Sequence, residues 1–195
     1  PLMSVTVPPT GQCYRLAAKI IDKLSRLSGG GCFPPHLTLQ AVFNQAPQRS
    51  VAAAVKQTAE QTPPFQAQID GLGILPAAYD PEVKFVYLRV AKSEPLIALY
   101  LQTKRELKRA GAETYPYRPD EWIPHITVAS GRWSWRQAEE LIAELSHTDL
   151  SCRFPVSVLR LTRIEPNGHW TTVLEVPLKP SKGDSQSSSG QAAAI

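Results

Sequence analysis

The stretches Pro35-His36-Leu37-Thr38-Leu39 and Pro124-His125-Ile126-Thr127-Val128 follow one pattern, Pro-His-apolar-Thr-apolar. Each has an aromatic residue three places before its histidine, Phe33 and Trp122. A strand turns successive side chains to opposite faces. Within each stretch, His and Thr therefore share one face and the apolar residues share the other. The apolar face can pack on a core while an imidazole and a hydroxyl point away from it. The chain has four histidines, and two of them carry this pattern. The preference of Thr for strands explains either copy alone, but it explains a matched pair poorly. Two such strands brought together would surround one site with two imidazoles and two hydroxyls.

The elements around the two motifs recur in the same order. Leu2 to Val7 reads as a strand stopped by Pro8-Pro9. Leu16, Ile20, Leu24 and Leu27 recur at helical spacing from Gln12 to Leu27, and Gly29-Gly30-Gly31 ends that helix. The first His strand follows, to about Phe43. A second helix starts at Pro47, runs through Val51, Val55 and Ala59, and breaks at Pro63-Pro64. Phe65 to Leu75 is a strand, and Pro76 to Pro81 a turn-rich break. Then the order returns: strand Val83 to Val90, helix Pro95 to Ala110, a polar and aromatic loop from Glu113 to Ile123, and the second His strand. Ser134 caps a helix from Trp135 to Leu145. Cys152 to Ile164 reads as one strand, and Asn167-Gly168 as a hairpin turn into a last strand, His169 to Leu178.

The motif histidines lie 89 residues apart (125 − 36). We read an internal duplication with approximate repeats 2–75 and 83–164, a closing strand 169–178, and one bilobal domain over 1–180. The expected fold class is α+β: two antiparallel sheets related by a pseudo-two-fold, facing a central cleft, with helices outside. Residues 181–195 are rich in Ser and Gly and are expected to be a disordered tail.

Composition narrows the chemistry. The 195 residues can bury a sizeable core, and the net charge of +4 fits an anionic ligand without implying a nucleic-acid-coating surface. The densest basic run, 104–109, includes Glu106 and Leu107 and reads as a solvated helix face. Cys13, Cys32 and Cys152 are odd in number and lack a CxxC, so they read as reduced thiols of a cytoplasmic protein. No apolar run is long enough to cross a membrane, and no secretory signal opens the chain. The chain contains no HExxH, P-loop, GxGxxG or GxSxG motif and no Cys/His cluster. The expectation is a monomer without cofactor or metal.

Near neutral pH one imidazole of a pair can be neutral and the other protonated, which supplies a base and an acid together. Thr hydroxyls can donate to phosphate oxygens. The paired motifs, their spacing and the duplication together resemble the 2H phosphoesterase superfamily, which includes 2′-5′ RNA ligase-like proteins and cyclic phosphodiesterases. The resemblance runs from about Leu2 to Leu178. It implies a metal-independent cyclic phosphodiesterase acting on a nucleotide 2′,3′-cyclic phosphate or an RNA end. His36 and His125 would be the catalytic pair, with His125 as base and His36 as acid, and Thr38 and Thr127 would hold phosphate. A 2′-5′ RNA ligase or exonuclease using the same site, and a non-enzymatic phosphate-binding module, are the alternatives.

Relatives often carry an aromatic or basic residue five places after the second His. Here that position is Ser130, with Arg132 and Trp133 just beyond. Alternation in Val83 to Val90 puts Val86, Leu88 and Val90 on the core face and leaves Phe85, Tyr87 and Arg89 on the open face. An open-face aromatic could stack on a nucleobase. Tyr115, Tyr117 and Arg118 sit in the loop before the second motif, where binding groups are common. Phe85, Tyr87, Tyr117, Arg118, Ser130, Arg132 and Trp133 are thus the substrate-binding candidates. Phe33 and Trp122 should brace their strands, His147 should interact with a helix end, and His169 should lie at the surface.

Overall fold

Apolar residues at helical spacing give four amphipathic helices, each laid against an antiparallel sheet. The computed structural model describes residues 2–29, 33–77, 80–165 and 170–179. In chain order the elements are β1 (Leu2–Val7), α1 (Gly11–Ser28), β2 (Leu37–Val42), α2 (Gln48–Glu60), β3 (Phe65–Ala77), β4 (Asp80–Val90), α3 (Glu94–Arg109), β5 (His125–Arg132), α4 (Trp135–Ala143), β6 (Cys152–Val156), β7 (Val158–Ile164) and β8 (Trp170–Pro177). In α1 the buried residues are Cys13, Ala17, Ile20, Ile21 and Leu24, one stripe along the helix. Gly29 ends α1 at φ 68°, a left-handed position that suits glycine, and its N–H donates to the Ser25 carbonyl. Ser134 opens α4 with a capping box, exchanging hydrogen bonds with Gln137.

The eight strands form one sheet, in the order β6-β3-β4-β5-β2-β1-β7-β8, with every pairing antiparallel. This differs from the two separate sheets expected. The edges of β2 and β5 that would have bounded a gap instead pair with each other, at Leu37 and Ile126. Outward from this seam run two wings of four strands, β2-β1-β7-β8 and β5-β4-β3-β6. The expected single strand 152–164 is two strands broken at Ser157: β6 pairs with β3, and β7 pairs with β1. Only Ser157 separates them along the chain, yet they lie six places apart in the sheet order. The sheet must therefore curl, bringing its wings back toward each other. Pro155 sits in the edge strand β6, where a missing N–H costs no ladder bond on the open side.

The helices cover the face that carries Leu37 and Ile126, both fully buried. α2 packs on β7 and β8, and α4 on β3 and β4. The other two cross the seam: α1, which precedes β2, packs on β5 and β6, and α3, which precedes β5, packs on β2. Cys13 in α1 and Cys152 in β6 form a disulfide, with Cα atoms 5.8 Å apart and a sequence separation of 139. This corrects the expectation of reduced thiols, because the crossing of α1 onto the other wing is what brings the two sulfurs together. Cys32, the Asn167-Gly168 turn, His169 and the tail 181–195 lie outside the described residues. No helix is long and apolar enough to cross a membrane among the described residues.

Candidate active site

The seam builds the site. In an antiparallel ladder the numbers of facing residues have a constant sum. The pair Leu37–Ile126 sets that sum at 163, so in the continued register His36 faces Thr127 and Thr38 faces His125. With Leu37 and Ile126 pointing into the core, alternation turns all four polar side chains to the opposite face. All four line one cavity and are half-buried.

The two strands share a further irregularity. β1 pairs Val5 with Gln40 and Thr6 with Thr38, which leaves Leu39 as an extra residue. β4 pairs Val86 with Ala129 and Tyr87 with Thr127, which leaves Val128 extra. Each bulge falls three places after its histidine and resets the alternation. Ala41 and Ser130, five places after the histidines, consequently reach the same cavity as the motif residues.

The local backbone also fixes the imidazoles. Nδ1 of His36 lies 2.7 Å from the Pro34 carbonyl oxygen, and Nδ1 of His125 lies 2.7 Å from that of Ile123. A carbonyl only accepts, so each Nδ1 carries a proton and donates it there. Nε2 is then the titrating nitrogen in both rings. Burial holds both histidines below their ordinary pKa, with the backbone hydrogen bonds acting the other way. His36 is lowered further by charge on His125, so the two rings sense each other.

Both histidines, both threonines and Ser130 line one cavity of about 660 Å³. Its walls bring in Phe85 of β4 and Tyr117 of the loop before β5, as the open-face and loop readings expect. Four other candidates do not line it. Tyr87 folds across its partner strand onto Gly73, where a Cβ would collide with its ring, and its ring centroid is 5.2 Å from that of His125. Arg118 is drawn aside by Asp120 and Glu121. Arg132 is exposed and paired with Asp80. Trp133 lies over Gly131, where any side chain would strike its indole. Phe33 braces His36 edge-on, as expected, and Trp122 stacks on Tyr100 at 4.2 Å.

Sequence reasoning missed Trp170 and Glu121. Trp170 lines the cavity with its ring 4.5 Å from His36. Nothing local marks it, since β8 reaches the site only through the curl of the sheet. Glu121 also lines the cavity, and one oxygen accepts from the Arg118 backbone N–H at 3.0 Å. Its loop reads as a binding loop, but no spacing singles out the acid. Among the described residues, no group of three or more His, Cys, Asp and Glu could hold a metal ion.

The sequence matches the family described as the 2′-5′ RNA ligase superfamily over residues 8–168. The chain belongs to that superfamily. Its fold is shared by several solved structures. TT0787 of Thermus thermophilus is 17% identical with a TM-score of 0.65, over 93% of this chain and 100% of that one. LigT of E. coli complexed with 3′-AMP is 14% identical with a TM-score of 0.59, over 90% and 97%. Usb1 of Kluyveromyces marxianus is 12% identical with a TM-score of 0.50, over 88% and 96%. No curated protein sequence matches. The superfamily match stops short of β1's Leu2 and Ser4 and of Trp170, although all three line the cavity.

Proposed function

We propose that this superfamily member is a phosphoesterase that opens 2′,3′-cyclic phosphates of nucleotides or RNA ends without a metal. The carrying observation is the seam, where two imidazoles with free Nε2 atoms and two hydroxyls share one face of one cavity. The neutral imidazole takes a proton from water as the water oxygen bonds to phosphorus. The protonated imidazole gives its proton to the ribose oxygen as the P–O bond breaks, and Thr38 and Thr127 donate to the non-bridging oxygens. The two rings are coupled, so protonating one opposes protonating the other and the pair can hold one proton between them.

The LigT complex with 3′-AMP supports a nucleoside phosphate as the ligand class. The symmetric order of the two wings supports the duplication, within a single domain over 1–180. Disulfides persist mainly in oxidising compartments, so the Cys13–Cys152 bond supports such a setting over the cytoplasm. The test is a panel of 2′,3′-cyclic mononucleotides and 2′-5′ oligonucleotides in EDTA. Ring opening to a monoester is the expected result. Turnover confined to the oligonucleotides would replace the reading with the 2′-5′ ligase or exonuclease, and turnover of neither would sink it.

A further inference from the structure

The loop 113–124 has little regular secondary structure, yet it is tied down along its length. The Glu113 N–H donates to the Asn44 side chain at 3.1 Å, and the Glu113 carbonyl accepts from the Phe43 N–H at 2.9 Å. The Tyr100 hydroxyl and the Lys104 ammonium both donate to the Tyr117 carbonyl, each at 2.7 Å. Lys92 donates to the Pro119 and Asp120 carbonyls at 3.0 and 2.9 Å. Backbone held this closely presents its side chains in fixed places. Tyr115, Tyr117 and Glu121 are among those that line the cavity.

Glu121 is itself anchored. The Arg118 N–H donates to one carboxylate oxygen at 3.0 Å, and the Arg118 guanidinium lies 3.2 Å from the other. A carboxylate has about four acceptor sites and no donor. One site on each oxygen therefore remains for a ligand, and the side chain is about half exposed. A carboxylate beside a bound phosphate would oppose it, so this acid suits the far end of a nucleotide. It precedes His125 by four residues, at most about 14 Å along the chain, so a phosphate at the histidines leaves the base within its reach.

Resting on the phosphoesterase reading, we infer that Glu121 determines base specificity and selects guanine. The Watson–Crick edge of guanine carries two adjacent donors, N1–H and the 2-amino group. A carboxylate accepts both at once, one on each oxygen, in a charge-assisted pair. The other bases oppose it. Adenine and cytosine each place an acceptor nitrogen beside their amino group, and uracil flanks its single N–H with two carbonyl oxygens. Either arrangement sets lone pairs against the carboxylate. Tyr115 and Tyr117, on the same wall, supply aromatic surface for the purine ring.

The test is calorimetric binding of 2′-deoxynucleoside 3′-monophosphates carrying guanine, hypoxanthine, adenine or cytosine. At one pH their phosphates carry the same charge, so differences report the base, and no turnover is needed. The guanine nucleotide should bind about tenfold tighter than the adenine and cytosine ones, the scale of one good bidentate pair. Hypoxanthine lacks the 2-amino group and should fall between. In Glu121→Gln one acceptor becomes a donor, so an amide now matches the adenine edge. The guanine-to-adenine ratio should drop about tenfold by the same reasoning. Equal or weaker guanine binding by the unsubstituted protein overturns the inference, as does an unchanged ratio in a Glu121→Gln protein shown by circular dichroism to be folded. Failure to open cyclic nucleotides would instead count against the phosphoesterase reading, since base preference in binding stands apart from turnover.

Discussion

The two motif strands have the same backbone and different surroundings. His36, just before β2, and His125, which opens β5, are each held through Nδ1 to the carbonyl two places earlier, and each strand points a threonine along the same face and bulges three places after the histidine. Beyond that the halves diverge. His36 lies between Phe33 and Trp170, while His125 has Tyr87 beside it. Five places on, the first strand offers Ala41 and the second Ser130. What the halves share is local and written within a few residues of each motif. What separates them arrives from distant strands. On the proposed reading, the acid–base chemistry belongs to the shared part and the selectivity to the part that differs.

The sharpest way to break this comparison is to remove one imidazole at a time. His36→Ala and His125→Ala should each lower kcat/KM on a cyclic nucleotide by about 10²–10⁴, the usual worth of a positioned acid or base. The double variant should lose little more, because groups that act as a unit are not additive. The pH profiles should separate the roles. A base must be neutral to act, so its protonation produces the acidic limb, and loss of the acid's proton produces the alkaline limb. With both groups held below the ordinary value near 6.5, the optimum should lie on the acidic side of it. Each single variant should erase one limb, and the two variants should erase different limbs. Erasure of the same limb by both would show that the strands are not complementary partners.

A smaller effect is expected from the link between the wings. The Cys13–Cys152 bond closes a loop of 139 residues and ties α1 to the far edge of the other wing. Removing it with Cys13→Ser, or by reduction, should cost about 2–4 kcal/mol of stability, seen as a drop in Tm. An unchanged Tm would mean that the seam and the crossing helices hold the wings by themselves. This bond also shows where the sequence stops being legible. The repeating order of strands and helices, the cap at Ser134 and the four motif side chains can be read because each rests on residues close together in sequence. The union of β2 with β5, the split of 152–164 at Ser157, the disulfide and the place of Trp170 depend on how the sheet curls. Those contacts join residues far apart in sequence, and their spacing carries no periodic signal. The alternation rule also fails at Leu39 and Val128, since a bulge leaves no mark in a run of apolar residues.

The finest test concerns Trp170, which belongs to one half only. Its ring covers His36 at 4.5 Å, whereas the aromatic neighbour of His125 is Tyr87 from the adjoining strand. Burial is the largest influence lowering His36. Trp170→Ala lets water reach that imidazole, so the charged form is penalised less and its pKa should rise toward the ordinary value. The limb of the pH profile assigned to His36 should move to higher pH with it, while the limb of His125 stays in place. Titration of the imidazole nitrogens by NMR would report the two sites separately. A shift of His36 alone makes Trp170 a positioning residue that tunes one half of the pair. Equal shifts at both histidines would mean that Trp170 shields the cavity as a whole, and a shift of His36 to lower pH would remove burial by the indole as the cause.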